Sequence, residues 1–199
     1  MKRLLSMPRK QIQFVVFDKP IKIPVYKLII FLLVVAYFLA RHFLLADLWF
    51  TLTNETYNFS IEHPAEWRAY TYGRNGSRSS RIMRAEVMQS GFFNSGEIQI
   101  YQQFMEKPTL DDAVAWGEQV IQRNDGYDLT SLQEIQIGQN YPALTQTYRI
   151  RGGLGGFAKA IYFVTNDSVF MIKFSDLQSG FKENEPTFDR MLASFRIIE

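Results

Sequence analysis

Apolar residues are arranged along this chain in two different ways. From Leu28 to Ala40 they run without interruption for 13 residues, and after Arg41-His42 they resume as Phe43-Leu44-Leu45-Ala46. No run of that length recurs, and beyond residue 56 apolar positions repeat with the period of a strand or of a surface helix. At ~1.5 Å per residue, a helix over 26–46 spans roughly 30 Å, the thickness of a bilayer's hydrocarbon core. The pattern predicts one transmembrane helix over 26–46. Lys22 and Lys27 precede it, and Trp49 and Phe50 follow it, as interfacial anchors do. The bulky sequence Leu45-Ala46-Asp47-Leu48-Trp49 offers no small-x-small cleavage pattern, which favours an uncleaved anchor over a cleaved signal.

Before the helix, residues 1–25 read as a basic arm. Gln11 to Phe17 has strand character, while Pro8, Pro20 and Pro24 exclude a long helix. Such an arm has too little apolar surface to fold alone, so it is disordered or laid against a partner or anionic headgroups. After the helix, 47–56 reads as a linker and 57–199 as one domain with room for a sizeable core.

Within the domain, Tyr57 to Glu62 alternates as a first strand that His63-Pro64 ends, with Ala65-Glu66-Trp67 as a turn. Residues 70–80 read as a polar loop. Arg81 to Met88 and Glu97 to Gln103 read as strands, joined by a turn carrying Phe92 and Phe93. Thr109 is a good N-cap for a helix over 110–123. Its apolar face is Leu110, Ala113, Val114, Gly117, Val120 and Ile121, with Trp116 off the stripe. Four strands follow, over 131–137, 141–151, 157–165 and 168–175. The last two are joined by Asn166-Asp167 as a two-residue turn of the primed type. Pro186 suits the first turn of a closing helix that carries Phe188, Met191, Leu192 and Phe195. This order predicts an α+β domain with a mainly antiparallel sheet and helices packed on it.

Charge divides at the apolar run. Residues 1–27 hold seven basic groups against Asp18 alone, a net of +6, whereas 51–199 hold 14 basic and 18 acidic groups. The positive-inside bias then predicts a cytoplasmic N-terminus and an extracytoplasmic (periplasmic) domain, single-pass in a cell or photosynthetic membrane. The pI of 8.8 averages a basic arm with a mildly acidic domain, and it is no argument for nucleic acid. With no cysteine, disulfides, a CxxCH haem site and thiolate cluster ligation are excluded. Arg41 and His42 lie near the outer end of the span. Arg41 either snorkels to the headgroups or pairs with a neighbouring membrane subunit.

The opening Tyr57-Asn58-Phe59-Ser60-Ile61-Glu62-His63-Pro64-Ala65-Glu66-Trp67 resembles the signature of PsbP-like proteins. The closing Phe188-Asp189-Arg190-Met191-Leu192-Ala193-Ser194-Phe195-Arg196 is similar to that family's final helix and its Ser-Phe-basic ending. The helix opened by Thr109-Leu110-Asp111-Asp112 and the hairpin through Tyr148 and Tyr162 fit the same order. The resemblance covers about residues 57–198. It implies an α/β/α sandwich, here preceded by a transmembrane helix, and a role beside a photosynthetic or other membrane complex. The tether, without a lipid-modified cysteine, points toward a complex other than photosystem II.

Candidate chemistry is thin. The outer domain's one histidine, His63, reads as a packed ring near Trp67, and no GxSxG elbow accompanies it. Asp111-Asp112 and Glu183/Glu185 lack calcium-loop spacing, and the aspartates read as helix caps. Gly152 to Gly156 lacks a P-loop's Lys-(Ser/Thr) and reads as a hairpin loop. Features fit for docking are Arg74, Arg78, Arg81 and Arg84, the Phe92-Phe93 tip, Trp49, Trp116, Arg41 and His42. The expectation is a non-enzymatic accessory subunit without cofactor or metal, partnered by integral membrane subunits and the lipid bilayer. A free-standing anchored binding module or assembly factor is the other reading.

Overall fold

The structure, a computed structural model, describes residues 11–16, 19–45, 48–72, 81–87, 96–123, 126–151 and 156–198, with side chains from Pro24 onward except at 41–45. The chain divides into two units, Met1–Asp47 and Leu48–Glu199.

In the first unit, β1 (Gln11–Val16) pairs antiparallel with β2 (Lys19–Pro24), Gln11 opposite Pro24 and Val16 opposite Lys19. The arm thus holds a hairpin of two edge strands, where prolines are tolerated because no inner ladder bond is lost. Helix α1 (Val25–Leu45) begins directly after Pro24. From Ile29 to Leu39 its large apolar side chains expose 36% to 65% of their surface, on all sides of the helix. Among the described residues no helix is long and apolar enough to cross a membrane. The transmembrane helix expected over 26–46 is therefore not supported by the described residues.

The second unit begins with β3 (Trp49–Asn54), β4 (Phe59–Pro64), β5 (Trp67–Thr71), β6 (Arg81–Val87) and β7 (Glu97–Phe104). Helix α2 (Leu110–Arg123) precedes β8 (Gly126–Tyr127), β9 (Gln133–Ile137), β10 (Tyr141–Ile150), β11 (Gly156–Val164) and β12 (Ser168–Leu177). Helix α3 (Gln178–Ser194) and β13 (Arg196–Ile197) close it. The main sheet runs β5-β6-β7-β12-β11-β10-β8, with β9 also on β10, and a smaller sheet runs β13-β4-β3. Every described pairing is antiparallel, so the unit is α+β as the strand pattern predicts.

Alternation along the central strands creates two cores. On β12, Phe170, Ile172 and Phe174 face one core while Val169 and Met171 face the other. The first core meets α3 and the small sheet through Phe188, Met191, Leu192, Phe59 and Ile61. Phe163 stacks on Phe170 at 4.8 Å and meets Phe195 edge-on at 5.2 Å; Phe195 in turn stacks on Phe59 at 5.9 Å. The second core lies under α2, with Ala113, Val114, Gly117 and Ile121 toward Tyr148, Tyr162 and Met171.

Four local expectations change. The stretch read as a linker contains β3, whose Leu52 sits opposite Ile61 of β4 and packs on the first core. The stretch from Trp67 is β5, an edge strand, so its solvent face breaks the apolar alternation. Pro186 lies inside α3, which starts at Gln178. Asn166-Asp167 does join β11 to β12, but neither residue has the positive φ of a primed turn.

Candidate functional site

The face of the main sheet that meets α2 is apolar at one end and charged at the other. Register aligns its side chains in rows across six strands. One row runs Gln146, Ala160, Lys173, Gln99, Arg84 and Tyr70, from β10 to β5. The next runs Tyr148, Ala158, Ser175, Glu97, Glu86 and Arg68. Helix α2 packs over β10, β11 and β12, so the charged end, on β5, β6 and β7, lies beside the helix.

Within this end the polar groups are linked. The Arg84 guanidinium reaches Glu86 Oε2 at 2.6 Å through NH2 and Glu97 Oε1 at 2.5 Å through Nε. The Nε approach is an ion pair by distance, with an angle poor for a hydrogen bond. Gln99 donates its amide N–H to Glu97 and accepts from the Tyr101 hydroxyl. Arg81, opposite Tyr101 in the register, lies over the Tyr72 ring at 4.9 Å. Burial pushes the Tyr101 phenol up to about 12, with nearby Arg81 opposing. Lys173 stands in the middle with only 9% of its surface exposed. Burial depresses its ammonium below the usual lysine value, Glu97 opposes that shift, and Arg81 and Arg84 add to it.

This places two of the sequence-derived candidates, Arg81 and Arg84, on a strand with buried neighbours and not in a solvated loop. The same reasoning missed Lys173, Gln99 and Tyr101. One signal was available: Lys173 interrupts the otherwise apolar Val169 to Phe174, so a charge there must sit on an inward-facing strand.

Of the other candidates, Arg74, Arg78, Phe92 and Phe93 lie outside the described residues, as do the side chains of Arg41 and His42. Trp116 is buried in the second core, a correction to its expected place off the stripe. Its ring is broad enough to reach the sheet from the margin of the apolar face. Trp49 is half-buried, with the Arg190 guanidinium 3.9 Å above its ring. His63 is buried; its Nδ1 lies 2.9 Å from the Pro64 carbonyl, and Phe50 meets its ring edge-on at 6.2 Å. Asp112 caps α2, and Glu185 lies 3.5 Å from Lys159.

A concavity of about 870 Å³ lies elsewhere on the domain, walled by Tyr57, Gln102, Phe104, Lys107, Tyr141 and Asp167, where turns meet. Its lining mixes aromatic rings with amides and does not gather groups of one charge.

No protein-family model matches the chain, and no curated protein matches it. Solved structures do. A cyanobacterial PsbP (CyanoP) from Synechocystis sp. PCC 6803 aligns with a TM-score of 0.55 at 12% identity, covering 75% of this chain and 92% of that one. LpqN, involved in cell envelope biogenesis of Mycobacterium tuberculosis, aligns at 0.57 and 9% identity, covering 76% and 91%. A Mog1 E65A mutant aligns at 0.53 and 9%, covering 76% and 97%. At such identities the likeness is one of architecture: the fold is PsbP-like, a mixed α+β domain built on antiparallel sheets.

Proposed function

We propose that this chain is a membrane-anchored, non-catalytic protein whose PsbP-like domain acts by binding, as an accessory subunit of a larger membrane complex. One observation carries the reading: α1 presents apolar side chains on every side from Ile29 to Ala40, and such a surface is stable only against lipid or protein. A helix that served a soluble core would keep a polar stripe. The basic N-terminal arm orients the helix with that arm in the cytoplasm and the domain outside it. Arg41 then either snorkels or pairs with a neighbouring subunit.

Washing membranes with alkaline carbonate tests the anchor. The chain is expected to stay in the pellet until detergent is added, and release without detergent would defeat the reading. Mild-detergent purification tests the assembly. Constant co-migration with other membrane proteins is expected, and migration always alone leaves only an anchored binding module.

A further inference from the structure

We infer that β3 is an interface strand whose open edge pairs antiparallel with β3 of a second copy of this chain, centred on Thr51. The inference goes beyond the accessory-subunit reading and does not rest on the anchor.

The edge is open and unguarded. β3 ends the order β13-β4-β3, so among the described residues no strand pairs with its outer side. Phe50 exposes 54% of its surface, and Thr51 and Thr53 are exposed as well. Sheet edges are ordinarily protected by charge, proline, bulges or brevity. In the second unit β5 carries Arg68, β9 carries Glu134, and β8 and β13 are two residues each. By contrast, Trp49–Asn54 runs six residues with no charge and no proline, and its register with β4 is unbroken.

Backbone parity gives the groups that this edge offers. The Ala65 N–H donates to the Leu48 carbonyl at 2.9 Å, and that pair continues the β3–β4 register by one step. Bonded and non-bonded pairs alternate in an antiparallel ladder, so Phe50, Leu52 and Asn54 turn their backbone groups toward β4. Pro64, which has no N–H, lies opposite Trp49, at a non-bonded pair as this requires. Glu62, opposite Thr51, likewise turns its N–H away from β3 and donates to Ser194 Oγ at 2.9 Å. Trp49, Thr51 and Thr53 therefore present N–H and C=O outward.

The segment also complements itself. In a two-fold pairing centred on Thr51, the two Thr51 residues face each other, Trp49 faces Thr53, and Phe50 faces Leu52 of the second copy. This register gives all three outward residues a backbone partner, whereas centring on Leu52 would strand Trp49. Its side-chain pairs are Thr with Thr, aromatic with β-branched and aromatic with aliphatic, and no like charges meet. The exposed face of Phe50 is then covered by Leu52.

Light scattering of the full chain in mild detergent, over a dilution series, tests the pairing. A concentration-dependent dimer is expected. Thr51→Pro removes the central outward N–H without touching the ladder to β4, so it should weaken dimerisation about tenfold or more with an unchanged circular dichroism spectrum. Register is read with single cysteines, because the chain has none of its own. Across the two-fold, Thr51→Cys sets its Cα atoms ~5.5 Å apart, within disulfide range, whereas in Thr53→Cys they lie roughly 13 Å apart. Oxidation should therefore link Thr51→Cys severalfold more than Thr53→Cys, and this comparison decides if Thr51→Pro does not fold. A monomer at every concentration, a dimer undiminished by Thr51→Pro, or equal linking of the two cysteine variants would overturn the interface. None of these readouts depends on whether α1 enters a bilayer.

Discussion

Thr109 and Asp112 cap α2 reciprocally. The Thr109 backbone N–H donates to Asp112 Oδ2 at 2.8 Å, and the Asp112 N–H donates to Thr109 Oγ1 at 3.2 Å. The pair satisfies an orphan donor of the first helical turn and sets a carboxylate at the positive end of the helix dipole. Replacing Thr109 with Ala should cost about 1 kcal/mol of domain stability, read by urea denaturation. The Thr109 hydrogen bonds hold the Asp112 carboxyl below its usual value. That contribution is present above the unfolded-state pKa and is lost as pH falls through the folded one. Thr109→Ala should therefore cost less in acid than at neutral pH.

Gly117 faces the sheet where a side chain does not fit. A Cβ there would lie 2.3 Å from Tyr162 Cε1 and 2.8 Å from Cδ1. The Tyr162 ring is pinned, since its hydroxyl accepts from the Gln146 amide at 2.6 Å. Gly117→Ala should raise intrinsic helix propensity by about 1 kcal/mol yet destabilise the domain by about 1–3 kcal/mol through overpacking. A thermal melt showing a higher Tm would contradict that packing.

Gly138 tests backbone strain separately. Its φ is +53°, and a Cβ would lie 2.1 Å from the Phe195 carbonyl oxygen. Its N–H also donates to the Leu192 carbonyl at 3.2 Å, tying the β9–β10 turn to the end of α3. Gly138→Ala combines a left-handed residue with a clash against backbone, which cannot swing aside. We expect a loss larger than that of Gly117→Ala, measured under the same conditions.

Lys173 should make the domain more stable as pH rises above neutral. Burial lowers its folded-state pKa, so between that value and the unfolded value the unfolded chain binds more protons. Stability rises with pH wherever this holds. Lys173→Met should be more stable than wild type at neutral pH and should lose this slope. Identical pH profiles for the two chains would contradict it.

At high pH the sign reverses. Tyr101 titrates near 12 in the fold against an ordinary value of 10.0, and burial also raises Tyr148 and Tyr162. The stability linked to Tyr101 is complete below pH 10 and is lost as pH climbs toward 12. Alkaline titration followed by tyrosinate absorbance should show late-ionising phenols, and Tyr101→Phe should remove one of them.

Much of the domain was legible because local pattern and tertiary role agree. The 3.6-residue repeat from Leu110 to Ile121 belongs to a helix lying on one sheet face. Strands β6, β7, β10, β11 and β12 sit within three residues of their expected bounds. Where a segment's stability comes from a distant partner, the pattern was silent. Gln178 to Glu185 is polar and carries Gly180, so nothing local marks it as helical. It is held by Asn184 Nδ2 donating to Asp176 Oδ2 at 2.6 Å, and by Phe181 packed against Phe174 and Phe157.

By itself the sequence determined what periodicity and composition can encode: a separate apolar helix, an antiparallel α+β domain, a capped α2, and no cysteine chemistry. Only the tertiary structure decided which charges meet. Lys173 lies 74 residues from Gln99 and 89 from Arg84, and strand register brings the three into one row. Sequence fixes a strand's two faces, because side chains alternate at every residue. Which strands lie beside each other depends on packing of the whole sheet, and no local pattern carries that information.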